Sequence, residues 1–427
     1  MKENVKILLG FLLVFSVFSA DAAESMFDKK QVQEDIAFLD SIIQAVHPDP
    51  FYYTSKEKYE GLKKEVLASL PDSMSQEKAY RLIAPLLASL KDGHSLMMTP
   101  YGPLVDYLKA GGKVFPIDIH LSEGKLFAKA DGYKNSSFEE NTELISINGV
   151  DSHEILSSIL KLYPVELAED LYYKTIERDF YIFLLYTSLL KDEKVALVLN
   201  QAGNERIYET ELIPYSIYNK NRRTKESPDY AFSVDEHTKE ALVQLKNFLP
   251  SDRYYSFIDS LFDTIEQKKI RKLTLDIRGN SGGSSAAVEA LMSYLYRGRY
   301  CLYSAVYLKI SEAIRQKYQK RDTSFYEAIK SRPLGDLLPE DIQWTYSNRP
   351  DVYAGPLQVL VDKSTYSGAA SFANLVKELK RGIVTGASGG GSLYFGDFLI
   401  FELPHTKLEF SVSTKKFVEY KAKPEKR

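Results

Sequence analysis

The chain has one cysteine, Cys301, in 427 residues. A lone thiol cannot close an intrachain disulfide, complete a Cys-based zinc site or form a Cys-X-X-Cys redox pair. An excess of either charge is also missing, since 55 Lys plus Arg stand against 58 Asp plus Glu, a formal charge of −3. That balance excludes a strongly basic protein whose grip on nucleic acid rests on bulk charge. Beyond the N-terminus no apolar run is long enough to span a bilayer. Wholesale disorder is set aside as well, because 44% hydrophobic and 26% charged residues are ordinary globular usage. The 30 Tyr and 22 Phe against a single Trp supply large cores and amphipathic surfaces. The length calls for two or three units.

The N-terminus points to a compartment. Lys2 and Lys6 precede an apolar run, Ile7 to Phe18, broken only by Gly10 and Ser16, and Ala20-Asp21-Ala22 places small residues at the two cleavage-determining positions. This pattern predicts a signal peptide over 1–22, with an uncleaved anchor as the alternative. No cysteine follows the run, which excludes a bacterial lipoprotein anchor. The expected product is exported, periplasmic or secreted, with no integral membrane segment after cleavage.

Hydrophobic periodicity divides the rest. Residues 23–110 read as a helical unit: Val32, Ile36, Leu39, Ile42, Ile43 and Val46 recur at helical spacing before His47-Pro48-Asp49-Pro50, and helices follow over Lys56 to Leu70 and Gln76 to Leu90. Gly93, in Lys91-Asp92-Gly93-His94, fits a left-handed helix stop. From 111 to 216 the period becomes two, with a helical insertion from about Glu166 to Leu190. Within this stretch Thr142 to Ile147 leads into an Asn148-Gly149 tight turn and then a helix from Ser152. Tyr218 to Asp229 reads as a linker. Residues 228–427 alternate strands and helices, which predicts an α/β core with a largely parallel sheet and, from Phe398 onward, an antiparallel flank.

Three turns follow strands of that core. Arg278-Gly279-Asn280-Ser281-Gly282-Gly283 can aim backbone N–H groups at an anion or an oxyanion, but it lacks both the Gly-Lys-Ser/Thr of a P-loop and the Gly-x-Gly-x-x-Gly spacing, so a nucleotide site is the weakest reading. Ser364-Thr365-Tyr366-Ser367-Gly368 puts Ser367 where a strand feeds a helix, the place of a nucleophile or of an N-cap. Gly386 to Ser392 is the third glycine-rich stretch. Among the six histidines, His94 stands just past a helix end, His47 lies in a helix-ending turn and reads as structural, and His120, His153, His237 and His405 have no constellation around them.

Taken together these residues resemble a known family. Leu275 to Gly283 is similar to the Leu-Asp-x-Arg-Gly-Asn-x-Gly-Gly motif of the C-terminal processing (tail-specific) serine peptidases, and Val359 to Ala370 resembles their nucleophile turn. Glu143 to Val150 resembles the signature hairpin of their PDZ-like domain. Leu90 to Ser95 resembles the Asp-Gly-His-Thr/Ser segment of the tricorn-like and interphotoreceptor-retinoid-binding-protein-like branch. The resemblance implies an α/β fold with a ClpP/crotonase-like core, an N-terminal helical unit and a PDZ-like β-rich domain that presents peptide at a strand edge.

The same resemblance implies a serine endopeptidase acting on peptide or unfolded protein, with neither metal nor cofactor. The tail-specific branch uses a Lys as base, and the corresponding stretch here, Ser388 to Ser392, has none. The tricorn-like branch uses a His, which maps to His94, with Ser367 as nucleophile. Its orienting Glu maps to Glu425, with Glu419 as runner-up, and the oxyanion donors map to the N–H groups of Gly279 and Gly368. Ala370 replaces a Glu common in active members, so a weak or inactive protein that binds peptide or hydrophobic ligand on the same scaffold is the alternative.

Overall fold

A computed structural model of the chain describes residues 26–129, 138–165, 170–186, 189–190, 193–221, 228–387 and 394–422. The predicted signal segment 1–22, Ser388 to Ser392 and Glu425 lie outside the described residues. Among the described residues no helix is long and apolar enough to cross a membrane.

The N-terminal helices fall where periodicity and capping put them. Lys29–Val46 starts at a capping box of Asp28 and Gln31 and buries Val32, Ile36, Leu39, Ile43 and Val46. Lys56–Ser69 and Gln76–Ala88 begin at Ser55 and Ser75, whose hydroxyls accept backbone N–H bonds in the first turn. The left-handed residue after the third helix is Lys91 (φ 57), not Gly93 as the sequence suggested. A further helix, Tyr101–Lys109, escapes the pattern because its start is Pro100 with no side-chain cap.

Next comes an antiparallel sheet whose strands run in the order Ile119–Ser122, Lys125–Ala128, Thr142–Ile147, Lys194–Gln201, Asn204–Glu211. Asn148 (φ 48) and Gly149 (φ 79) make the expected tight turn, and Val150–Asp151 pairs back on Thr142–Ile147. The helix Ser152–Leu160 is capped by Asp151. The inserted helix, Asp170–Tyr186, lies against Ile119–Ser122, where the Glu177 carboxylate accepts the Leu121 N–H at 2.7 Å. That edge of the sheet is therefore closed by the chain's own helix. The predicted linker begins inside the helix Tyr215–Asn221, where Tyr218 is buried. One continuous apolar cluster joins the N-terminal helices, this sheet, and Leu403, Leu408, Phe410 and Val412 from the C-terminal end.

A second core fills the α/β unit. Its sheet runs Tyr230–Asp235, Glu240–Leu245, Lys272–Asp276, Leu357–Leu360, Ile383–Thr385; the last four are parallel and the first antiparallel. Asp276 pairs with Leu360, so the turns that leave these two neighbouring strands emerge side by side. The antiparallel flank is real and larger than expected, in the order Leu337–Pro339, Tyr303–Lys309, Glu409–Glu419, Phe395–Glu402. Glu409–Glu419 also holds the His94 loop: Met98 N–H donates to Glu409 O at 2.8 Å and Ser411 N–H to Leu96 O at 2.9 Å.

Candidate active site

Two turns from adjacent strands interlock. Tyr366 N–H donates to Asn280 O at 2.9 Å, and Thr365 Oγ1, fully buried, donates to Ile277 O at 3.1 Å. Asn280 is itself buried, donating Nδ2–H to Leu245 O and accepting Gly282 N–H at 2.8 Å. Gly282 is pressed against the nucleophile turn: at its φ of +98° a Cβ would come within 2.7 Å of Ser367 Cβ, Gly368 N and Tyr366 O.

Ser367 sits at φ 49, ψ −126, a strained conformation for a residue with a Cβ. Its hydroxyl caps nothing in the helix Gly368–Glu378 that follows. It points instead at His94, with Oγ 3.1 Å from Nε2. The N-cap reading does not hold for this side chain, because an N-cap would have turned its oxygen back onto the helix.

His94 is held from several sides. Asp92 Oδ1 accepts its backbone N–H at 3.1 Å, and Ser411 Oγ donates to its carbonyl at 2.8 Å. Its ring stacks on Tyr366 (centroids 5.0 Å, 29° between planes) and on Phe398 (6.5 Å, 28°). Burial lowers its pKa from the ordinary imidazole value, an effect that Asp92, Asp397 and the Phe395 backbone oppose.

Asp92 is the buried hub behind the ring. Its Oδ2 accepts from Ser95 Oγ and Ser413 Oγ at 2.6 Å each, and lies 3.1 Å from His47 Nε2. Because His47 Nδ1 accepts the Asp49 N–H at 3.1 Å, the ring hydrogen is on Nε2 and donates to Asp92. Burial opposes the Asp92 charge, yet hydrogen bonds from His47 and Ser413 and the nearby imidazoles hold its carboxyl far below the usual range. His47 is structural, as its turn suggested, and it supports the His94 loop directly through Asp92.

Ser367, His94 and Gly368 are brought together. Gly279 is not free to serve: its N–H donates to Asp362 Oδ1 at 2.9 Å, so the expected oxyanion donor is committed elsewhere. Gly283 stands closer, since a Cβ on Gly368 would lie 3.3 Å from Gly283 N. Among the described residues no acceptor takes the N–H of Gly283 or of Gly368. Glu419 ends its strand opposite Tyr303. Among the described residues no carboxylate oxygen is within hydrogen-bonding distance of the His94 ring, Asp92 Oδ1 being 3.9 Å from Nδ1. Asp92, Tyr366 and Ser413 went unmarked in the sequence; only the tight Asp92-Gly93-His94 spacing offered a signal for any of them. Among the described residues no group of three or more His, Cys, Asp or Glu side chains could hold a metal ion.

Residues 239–418 match the profile of peptidase family S41. The chain carries a serine-type peptidase domain of this family. The matched segment includes Ser367 and all three of the turns that follow core strands, while His94 lies upstream of it. Among solved structures, mature CPAF is similar over 92% of this chain and 91% of its own, with 13% identity and a TM-score of 0.63. A serine-to-alanine mutant of CPAF covers 93% of this chain and 91% of its own, with 12% identity and a TM-score of 0.66. At such identities the likeness is one of fold. No curated protein matches the chain.

Proposed function

We propose that the protein is an exported serine endopeptidase in which Ser367 attacks the scissile carbonyl and His94 Nε2 takes its proton. The observation that carries this reading is the 3.1 Å contact between Ser367 Oγ and His94 Nε2, made by a serine whose strained backbone does no capping work. Oγ bonds to the carbonyl carbon, the proton moves to Nε2, and it then passes to the leaving amine as the tetrahedral intermediate collapses. The developing oxyanion would be met by the N–H groups of Gly368 and Gly283, the former at the start of a helix whose dipole favours negative charge. Glu425 remains the orienting carboxylate that the resemblance implies, and the proposal does not depend on it. The PDZ-like reading of the antiparallel sheet rests on the hairpin Thr142–Asp151 and its helix.

A fluorophosphonate probe tests the reading. Covalent labelling should map to Ser367 and disappear in Ser367→Ala. It should fall by about 10²–10⁴-fold in His94→Ala, as loss of a positioned base does. Peptidase activity should follow, with the double mutant scarcely worse than either single one, because the pair acts as a unit. Substituting Lys377 or Lys380, both exposed, should leave activity unchanged. Absence of labelling at every pH would instead favour a binding protein on this scaffold.

A further inference from the structure

His94 has two ring nitrogens, and only Nε2 faces Ser367. For Nε2 to accept a proton, Nδ1 must already carry its hydrogen, and that hydrogen needs an acceptor. Asp92 does not supply it: its Oδ1 is 3.9 Å away and already takes the His94 backbone N–H. The side-chain atom at Nδ1 is Tyr366 Oη, 3.1 Å away.

Resting on the Ser367–His94 reading above, we propose that the Tyr366 phenol oxygen accepts the Nδ1 hydrogen and holds His94 in the tautomer that can deprotonate Ser367. Tyr366 is then a positioning residue adjoining the nucleophile. The turn that aims the hydroxyl aims the phenol too, because Tyr366 N–H is fixed on Asn280 O and Ala369 N–H returns to Tyr366 O at 3.0 Å. Gly93 makes room for it. A Cβ at Gly93 would overlap the Tyr366 hydroxyl, so the residue before the base must be glycine for the phenol to reach the ring. The ring stacking and the burial of Tyr366, 6% exposed, limit other orientations.

Other groups also face the imidazole. Asp92 lies behind it. From the strand Phe395–Glu402 come the Phe395 backbone and Asp397, whose charge is matched by Lys415 at 2.8 Å. Like the Phe395 backbone, the phenol bonds the ring without adding charge, and it is the one of these groups that the turn carrying Ser367 itself supplies. When His94 takes the Ser367 proton, Nδ1–H stays on the ring and the phenol keeps its own hydrogen, so no proton passes to Tyr366.

The test uses the full chain with Tyr366→Phe, which keeps the stacked ring and removes the acceptor. The expected result is a kcat lower by on the order of 10- to 100-fold with KM within about twofold, as for loss of a hydrogen bond to a group that becomes charged. The acid limb of the pH–rate profile should move to lower pH, because the lost acceptor no longer stabilises the imidazolium. Nitrogen NMR should show His94 leaving the Nδ1–H form. Gly93→Ala should reproduce all three changes and add little to Tyr366→Phe. If Tyr366→Phe keeps kcat within about twofold, the same acid limb and an Nδ1–H ring, the proposal is overturned. Fluorophosphonate labelling separates this from failure of the underlying reading: labelling that survives His94→Ala undiminished would remove the Ser–His pair itself.

Discussion

Asp92→Asn keeps the size of a buried side chain and exchanges one acceptor oxygen for a donor. Asp92 is 1% exposed, and its Oδ2 collects three donors, from Ser95, Ser413 and His47. If the new amide group occupies that position, its N–H meets the His47 Nε2–H head-on. His47 cannot reverse its tautomer without leaving the Asp49 amide unpaired at Nδ1. Ser95 has little freedom as well, since its oxygen already accepts the Ser413 N–H at 3.0 Å. If the amide is flipped instead, the clash moves to the His94 N–H. Breaking a buried ionic network by altering one partner costs about 3–5 kcal/mol, a large share of the total stability of a domain. Urea unfolding followed by circular dichroism should show a fall of this order with an unchanged m-value. A variant within about 0.5 kcal/mol of wild type would refute the reasoning, because the three donors would then have found partners elsewhere. The pH dependence gives a second check. The folded carboxyl titrates below its unfolded value of about 3.9, so its contribution is complete above that pH and is lost as the pH falls toward the folded value. Wild-type stability should therefore drop more steeply than that of Asp92→Asn below about pH 4.

Two further outcomes follow from the site. Gly282→Ala should reduce the rate of Ser367 labelling by more than about tenfold, since the added carbon displaces Ser367 and Gly368 together and sits at a φ costing about 1–3 kcal/mol; labelling at the wild-type rate would show that the turn relaxes. Wild-type kcat/KM should rise with pH to a plateau whose midpoint lies below about 6.5, because burial lowers the His94 pKa and the base works only when neutral; a midpoint above that value would mean that the neighbouring carboxylates outweigh burial.

What the sequence disclosed depended on how local the determining interactions are. Helices such as Lys29–Val46 and Gln76–Ala88 were legible to within a few residues because an apolar stripe and a polar cap lie in the same short segment. Ser367 and His94 are paired in the sequence only through the family resemblance, since no local pattern joins residues 273 positions apart. Gly279 was misassigned because its N–H is claimed by Asp362, a residue 83 positions away that no local pattern connects to it. Nothing in the sequence singles out Tyr366 beside Ser367; its proximity to His94 depends on Gly93, a residue far away in the chain. The stretch 297–356 gave no signal at all. Its helix Glu312–Arg321 buries only Ile314, and its one longer strand, Tyr303–Lys309, lies inside the flank without an alternating pattern of burial.

The distribution of the site over the chain has a consequence for how activity arises. The S41 segment, 239–418, contains Ser367, the proposed nucleophile, and the two turns beside it, yet His94, the proposed base, comes from the loop after the helix Gln76–Ala88. What joins them is the strand Glu409–Glu419, whose Ser411 and Ser413 bind the His94 carbonyl and Asp92 while its far end pairs with Tyr303–Lys309. Phe410 and Val412 of the same strand are fully buried in the N-terminal core. This strand thus belongs to both units, and the His94–Ser367 contact is held by its packing against each. A chain beginning at 228 would keep Ser367 and both glycine N–H groups but would lack His94, the proposed acceptor of the proton. The proposed catalytic pair accordingly depends on packing between segments far apart in the chain, whose closure carries a large entropic cost.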